Sequence, residues 1–182
     1  MAEHHGHGHG LTADVSVRPS LAEDAPHLGR IQVASWRTGL ATVLPAAALE
    51  GLDAEQFATV WREAITSPPS PKHRMLTACH GPEVVGFAAL APAPQTQETG
   101  EIVTLEVDPA HAREGHGSRL LAACTDLLRA TNASHVRAWA IEGDDVRAAF
   151  LSTAGLEPLG IRRVLDVGGT RVNELAFSAV LS

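Results

Sequence analysis

Leu-Glu-Val-Asp-Pro at positions 105–109 and Arg-Glu-Gly-His-Gly-Ser-Arg-Leu-Leu at positions 113–121 decide the fold of this 182-residue chain. The first stretch is typical of an apolar strand that a proline ends, and the second carries a glycine pair into the first turn of an amphipathic helix. A glycine-rich turn between a strand and a helix exposes several backbone N–H groups at the positive end of the helix dipole. The pattern therefore predicts a site for the phosphate groups of a cofactor.

Two common phosphate-binding motifs do not fit this turn. The dinucleotide motif needs a third glycine, and Leu120 stands in its place. The Walker A motif needs a Gly-Lys-Ser/Thr sequence, which the chain lacks.

Composition predicts one globular domain with a substantial core. A net charge of −7 argues against a general nucleic-acid binder, and no run approaches the roughly 20 apolar residues of a membrane span. We therefore expect neither nucleic acid nor membrane as a partner. Cys79 and Cys124 lie in apolar stretches, which predicts buried free thiols and a cytoplasmic location.

Hydrophobic periodicity and turn residues predict the elements around the glycine turn. Strands are predicted over residues 15–18, 75–80, 84–91, 101–107, 135–141, 160–167 and 172–181. Helices are predicted over 24–39, after Pro45, over 53–67, over 117–131 and over 144–153. The fold class is α+β, with the order β-α-α-β-β-β-α-β-α-β-β forming one twisted mixed sheet that carries helices on both faces.

With these elements in place, the chain resembles the GNAT superfamily of acyl-CoA-dependent N-acetyltransferases. Gly115 and Gly117 match the small positions of the motif Gln/Arg-x-x-Gly-x-Gly/Ala, although Ala112 replaces its first residue. Gly86-Phe87 in the third strand and Phe150 to Leu156 at the end of a later helix also fit the family. Trp36-Arg37, Pro45 and Trp61 resemble the Ser-Trp-Arg…Pro…Trp pattern of one bacterial branch.

The resemblance covers about residues 15–182, which we expect to form a single GNAT acetyltransferase domain. Residues 1–14 include a low-complexity His/Gly segment and are expected to be a disordered tail or an expression remnant. Histidines at this density can bind a divalent metal, but the interleaved glycines give no fixed geometry, so no metal site is expected in the fold.

The resemblance implies acetyl-CoA as co-substrate. The backbone of Leu105, Glu106 and Val107 would pair with the pantetheine arm, as an added strand would. The pyrophosphate would be wrapped by Arg113, Glu114, Gly115, His116, Gly117 and Ser118. The side chain of His116 is expected to be solvated in the loop, and not to act as a catalytic base.

Acetyl transfer to an amine requires that the ammonium lose a proton before it attacks the thioester. Glu101, fourteen residues before Gly115, matches the general base of histone-acetylating members in spacing and context. The alternative is a carboxylate at a strand edge near solvent. Glu106 is the second catalytic candidate, with a solvated or salt-bridged carboxylate as its alternative.

The usual acid of the family is missing. Leu151 occupies the position of its tyrosine, and the chain contains no tyrosine at all. Ser152 would replace that acid only if the helix were rotated, so water or the amine's own proton is the simpler substitute. A non-catalytic acyl-CoA-binding or sensing module is therefore the alternative to an N-acetyltransferase, and a metal-binding protein acting through its His-rich tail is a third hypothesis.

The acceptor is expected to be a primary amine on a small molecule or a peptide. Trp36 and Arg37 are the substrate-binding candidates, since the first helical region and the C-terminal strands should build the acceptor site. A homodimer through the C-terminal strands is a further expectation.

Overall fold

The computed structural model describes residues 14–182, and the predicted tail lies outside them except for Asp14. The strands are β1 Val15–Pro19, β2 Arg74–His80, β3 Glu83–Pro92, β4 Thr99–Val107, β5 His135–Ile141, β6 Glu157–Val167 and β7 Thr170–Val180. The helices are α1 Ala25–Gly39, α2 Ala46–Glu50, α3 Ala54–Thr66, α4 His116–Ala130 and α5 Asp145–Thr153. Short 3-10 turns cover Ala22–Asp24 and Pro109–His111.

One seven-stranded sheet runs through the domain in the order β1-β2-β3-β4-β5-β7-β6. β4 and β5 are parallel, and the other neighbours are antiparallel. This mixed sheet with helices confirms the predicted α+β class. The order of strands is as predicted, but three helices lie between β1 and β2 where the predicted order has two, because the segment after Pro45 forms the separate short helix α2. No helix among residues 14–182 is long and apolar enough to cross a membrane.

Helices cover both faces of the sheet because each buries one apolar stripe. On one face, α4 packs Leu120, Cys124 and Leu128 against β2, β3 and β4. On the other face, Leu28 and Ile31 of α1 pack with Phe87 of β3, beside partly buried side chains of α3. Both cysteines are buried free thiols, and burial raises the pKa of Cys124 to about 12.

Local signals explain where the helices begin. Pro45 precedes α2, and the Asp53 carboxylate caps α3 by accepting a hydrogen bond from the backbone N–H of Glu55 at 2.9 Å. Asp144 caps α5 in the same way, through the N–H of Arg147 at 3.1 Å. The Asp144 cap fixes the start of α5, which carries Arg147 toward β4.

The strands β4 and β5 separate halfway along the sheet. Their pairing covers only Thr99–Ile102 of β4 against His135–Ala138 of β5. Immediately afterwards, the register of β4 against β3 shifts, so that Val103 is an extra residue between the partners of Leu90 and Ala89. A bulge of this kind bends a strand. The second half of β4 therefore runs along an open gap in the sheet.

Candidate active site

The gap between β4 and β5 leads directly to the glycine turn. Val103–Val107 of β4 has no ladder partner on the β5 side. The Leu105 carbonyl faces this gap, because it accepts a hydrogen bond from the Arg147 guanidinium of α5. The gap therefore offers free backbone groups to an extended ligand, as an unpaired strand edge does.

The glycine turn places backbone N–H groups at the start of α4. Gly115 is the residue before the helix and has φ of +84°, a left-handed conformation that favours glycine. The N–H groups of the first helical turn have no partner within the helix and point toward an incoming ligand. Arg113 and Ser118 are exposed beside them. The local geometry is that of an anion site.

His116 does not have the solvated side chain that the sequence predicted. Its side chain is only 1% exposed, and its Nε2 lies 3.0 Å from Glu114 Oε2. The expectation was wrong because the first helical residue after Gly115 points into the protein, where His80 and His111 surround it. The pKa of Glu114 lies below its usual range because His111 and then His116 hydrogen-bond to the carboxylate.

Glu101 is a buried carboxylate with one oxygen free. Its residue is 4% exposed, so it is not the solvated strand-edge group of the alternative reading. Oε1 accepts a hydrogen bond from Arg163 Nη1 at 3.0 Å, whereas buried Oε2 has no hydrogen-bond partner within residues 14–182. The same guanidinium donates to Glu174 at 2.6 Å and lies 3.9 Å over the ring of Trp139.

Glu106 lies on the same face of β4 but has both oxygens occupied. Oε2 accepts from Ser35 Oγ at 2.5 Å and Arg147 Nη2 at 3.1 Å, and Oε1 accepts from Trp36 Nε1 at 3.1 Å. Thr104 adds a weaker contact at 3.3 Å. This carboxylate therefore joins α1 and α5 to β4, which is the salt-bridged alternative foreseen for it.

The two substrate-binding candidates have different surroundings. Trp36 is half-buried, donates to Glu106 and packs edge-on against Phe57 at 5.8 Å. Arg37 is exposed, and its guanidinium donates to the backbone carbonyls of Leu49, Glu50 and Leu52. Trp36 thus adjoins the β4 carboxylates, whereas Arg37 holds the carboxyl end of α2.

The position of the usual acid is part of the core. Leu151 is 2% exposed and belongs to the core cluster that contains side chains of α4, β4 and β5, while the next residue, Ser152, is exposed. Asp144, at the start of α5, is half-buried, and burial raises the pKa of its carboxyl above the usual range. None of Leu151, Ser152 and Asp144 places a tyrosine-like hydroxyl in the gap.

Three residues that contact the candidate site escaped sequence analysis: Arg147, Arg163 and Glu174. They lie on α5, β6 and β7, far along the chain from β4, and no local motif marks them. Only the antiparallel β6–β7 pairing and the packing of α5 bring them to the β4 carboxylates.

The sequence profile of the Acetyltransferase (GNAT) family matches residues 44–155, which is more than half of the chain. The chain belongs to the GNAT family of acetyltransferases. Membership confirms the predicted enzyme class, an acetyl-CoA-dependent acetyltransferase.

Individual relatives of this GNAT chain agree with that assignment. An uncharacterized N-acetyltransferase of Bacillus subtilis (strain 168), YuaI, is 28% identical over 130 residues, which cover 70% of this chain and 72% of that protein. The fold resembles the crystal structure of PaiA N-acetyltransferase from Thermoplasma acidophilum in complex with coenzyme A, with a TM-score of 0.75 and 16% identity over 92% of this chain and 99% of that one. It also resembles YncA of Salmonella typhimurium, a structure that contains acetyl-CoA, with a TM-score of 0.68 and 16% identity over 93% and 95% of the two chains.

Proposed function

We propose that this GNAT acetyltransferase moves the acetyl group of acetyl-CoA directly to a primary amine. The observation that carries the proposal is the alignment of the open β4 edge, the glycine turn and a buried carboxylate with one free oxygen. An extended arm in the gap would have its phosphates at the start of α4 and its thioester beside β4.

The cofactor residues divide between the strand and the turn. Leu105, Glu106 and Val107 offer backbone groups to the pantetheine arm, and Arg147 must release the Leu105 carbonyl when that arm pairs with it. The pyrophosphate lies against the turn, at Arg113, Glu114, Gly115, His116, Gly117 and Ser118. His116 contributes its backbone N–H only, since its side chain is buried on the inner side of the turn.

Glu101 is the general base of the proposed reaction. Arg163 stabilises the ionised carboxylate through Oε1, which leaves Oε2 to accept the proton of the acceptor ammonium. The amine nitrogen then bonds to the thioester carbon, the C–S bond breaks, and the second proton that the nitrogen loses passes to the leaving thiolate, directly or through water. No side-chain acid is assigned to the leaving thiolate, because Leu151 lies in the core.

We assign Glu106 a positioning role and not a catalytic one. Its four polar contacts come from α1, β4 and α5, so a proton taken up there would disrupt the contacts that hold the site together. Trp36, which Glu106 orients, lines the acceptor side of the site, and Arg37 contributes there by fixing α2.

The decisive experiment measures free-thiol release from acetyl-CoA against a panel of primary amines on small molecules and peptides. Glu101→Gln should lower kcat by about 10²- to 10⁴-fold, with the Kd for acetyl-CoA unchanged. Part of the loss should be recovered at high pH, where the amine is already deprotonated. Tight acetyl-CoA binding without turnover on any amine would instead favour the acyl-CoA-binding module.

Direct transfer makes a separate prediction for the enzyme without acceptor. Incubation with acetyl-CoA alone should release no thiol and add no acetyl mass to the protein, because the chemistry needs the amine in a ternary complex. An acetylated protein that forms at the rate of turnover would refute direct transfer. The role of Glu101 as general base would still be tested separately, by the Glu101→Gln variant.

We further propose a cytoplasmic homodimer that joins through β6. The two buried free thiols fit a reducing compartment. β6 is an edge strand of 11 residues with Ile161 and Val164 exposed. Val164→Lys should give a monomer by light scattering, whereas Val146→Lys, at an exposed position on α5, should leave the wild-type mass.

A further inference from the structure

Four side chains converge beneath the glycine turn and take no part in the proposed proton transfer: His80, His111, Glu114 and His116. They come from the end of β2, the 3-10 turn after β4, the glycine turn and the first residue of α4. One ligand atom of each lies within 4.8 Å of every other. We refer to these four residues as the histidine cluster.

The distances from the Glu114 carboxylate to the three imidazoles are close to those between ligands around one small cation. Glu114 Oε2 lies 3.1 Å from His111 Nδ1, 3.0 Å from His116 Nε2 and 3.6 Å from His80 Nδ1. In a tetrahedral site with bonds of about 2.0–2.1 Å, neighbouring ligand atoms are about 3.3 Å apart. The three imidazole rings have centroids 5.7, 6.0 and 6.1 Å apart and are inclined at 49–73°, so they do not stack.

Hydrogen bonds within the histidine cluster do not satisfy all of its buried imidazole nitrogens. His80 Nδ1 is buried and has no hydrogen-bond partner in the described part of the chain. His116, with its side chain 1% exposed, turns Nε2 to the same carboxylate oxygen that His111 contacts. The Glu114 carboxylate oxygen thus serves two of the three imidazoles, and leaving the buried His80 nitrogen without a hydrogen-bond partner is costly.

A second carboxylate orients one of the rings from outside. Glu83 Oε2 lies 3.3 Å from His111 Nε2, on the side of the ring away from the histidine cluster. Metal-binding histidines commonly donate their other ring N–H to a carboxylate, which turns the free nitrogen toward the metal. Glu83 therefore fixes the tautomer of His111 that leaves Nδ1 available as a ligand.

We propose that the histidine cluster is a Zn²⁺ site with His80, His111, Glu114 and His116 as its ligands. Three imidazole nitrogens and one carboxylate oxygen are ligands typical of zinc, whereas Mg²⁺ and Ca²⁺ prefer oxygen ligands alone. Four protein ligands fill the tetrahedral shell, so the site is structural. Zn²⁺ there would tie the turn between β2 and β3 to the glycine turn, whatever the acceptor of the enzyme.

The test uses the full chain, in which His4, His5, His7 and His9 are the same in every variant, so that any ions they take up cancel in the comparison. After chelator treatment and dialysis, the melting temperature is measured with and without Zn²⁺ at about 100 times its Kd. Zn²⁺ should raise the melting temperature of wild type by about 5–10 °C. His80→Gln and His111→Gln should lose this gain, and the matched control His27→Gln, at an exposed position on α1, should keep it.

Co²⁺ provides a second readout that does not depend on stability. Wild type should show the intense visible absorption of tetrahedral Co²⁺, and Glu114→Gln, at a half-exposed position that tolerates substitution, should lower the Co²⁺ affinity at least tenfold. An equal Zn²⁺ gain in wild type and His80→Gln would overturn the proposal. The proposal would also be overturned if Zn²⁺ bound without raising the melting temperature and Co²⁺ gave only octahedral absorption. That result would mean that the ions bind to the N-terminal histidines alone.

Discussion

Replacing Gly29 by alanine should separate α1 from α3. A Cβ at this position would lie 2.2 Å from the Ala54 carbonyl oxygen and 2.8 Å from the Ala58 nitrogen. Both are backbone atoms, so no change of rotamer relieves the contact. Since nonbonded carbon contacts need about 3.5 Å, α3 must move by about 1 Å.

The expected loss of stability follows from that displacement. Overpacking costs about 1–3 kcal/mol, and we expect the upper end of this range because backbone lies on both sides of the contact. For a domain of this size, about 3 kcal/mol lowers the melting temperature by roughly 6–12 °C. Circular dichroism during thermal and urea unfolding measures both values.

Gly39→Ala is the matched control on the same helix. A Cβ there meets nothing within 4 Å, so the variant should be as stable as wild type or gain up to about 1 kcal/mol. An unchanged urea midpoint for Gly29→Ala, or an equal loss for Gly39→Ala, would refute the close approach of α1 and α3 as the reason for glycine at position 29.

Three further variants test the buried polar and apolar contacts. Burial alone would raise the pKa of Asp24, but hydrogen bonds, first of all from Arg18 at 2.7 and 2.9 Å, hold it below the usual range. The stabilisation by the ionised carboxylate is therefore complete above the unfolded-state pKa of about 3.9, and it disappears as the pH falls through the folded-state pKa of Asp24. The urea midpoints of wild type and Asp24→Asn should accordingly differ at pH 7 and converge in acid. Glu106→Gln leaves the Arg147 guanidinium without its carboxylate and should lower the free energy of unfolding, measured by thermal unfolding, by about 2 kcal/mol. A loss below about 0.5 kcal/mol would contradict the role of Glu106 in joining α1 and α5 to β4. Leu151→Ala should cost about 2–5 kcal/mol in urea unfolding without changing the pH profile of kcat, and a changed profile would show that this position takes part in proton transfer.

Elements with local signals were predicted well. β5 has the predicted bounds, Pro45 and Asp53 precede α2 and α3, and the glycine pair at 168–169 connects β6 to β7. Caps, turns and apolar periodicity act over a few residues, so the amino-acid order contains them completely. The same holds for the glycine turn, whose conformation depends on Gly115 itself.

Side-chain partners were predicted less well. The position of Glu101 on β4 was predicted, but its pairing with Arg163 depends on how β6 and β7 fold back beside β5. His116 was expected in solvent, and it is buried because His80 on β2 and His111 come to its side of the turn. No metal site was expected within the fold, and the histidine cluster on which the zinc proposal rests is likewise assembled from distant segments.

The sequence by itself determined the family, the order of the strands and the position of the glycine turn, because these depend on residue types at short, fixed spacings. Tertiary structure alone decided that the Glu101 carboxylate keeps one oxygen without a hydrogen bond, whereas both oxygens of Glu106 accept hydrogen bonds. It also decided that four residues from β2, the 3-10 turn after β4, the glycine turn and the start of α4 form the histidine cluster. The physical reason is that burial and hydrogen-bond partners are set by contacts between segments far apart in the chain, which no local pattern encodes.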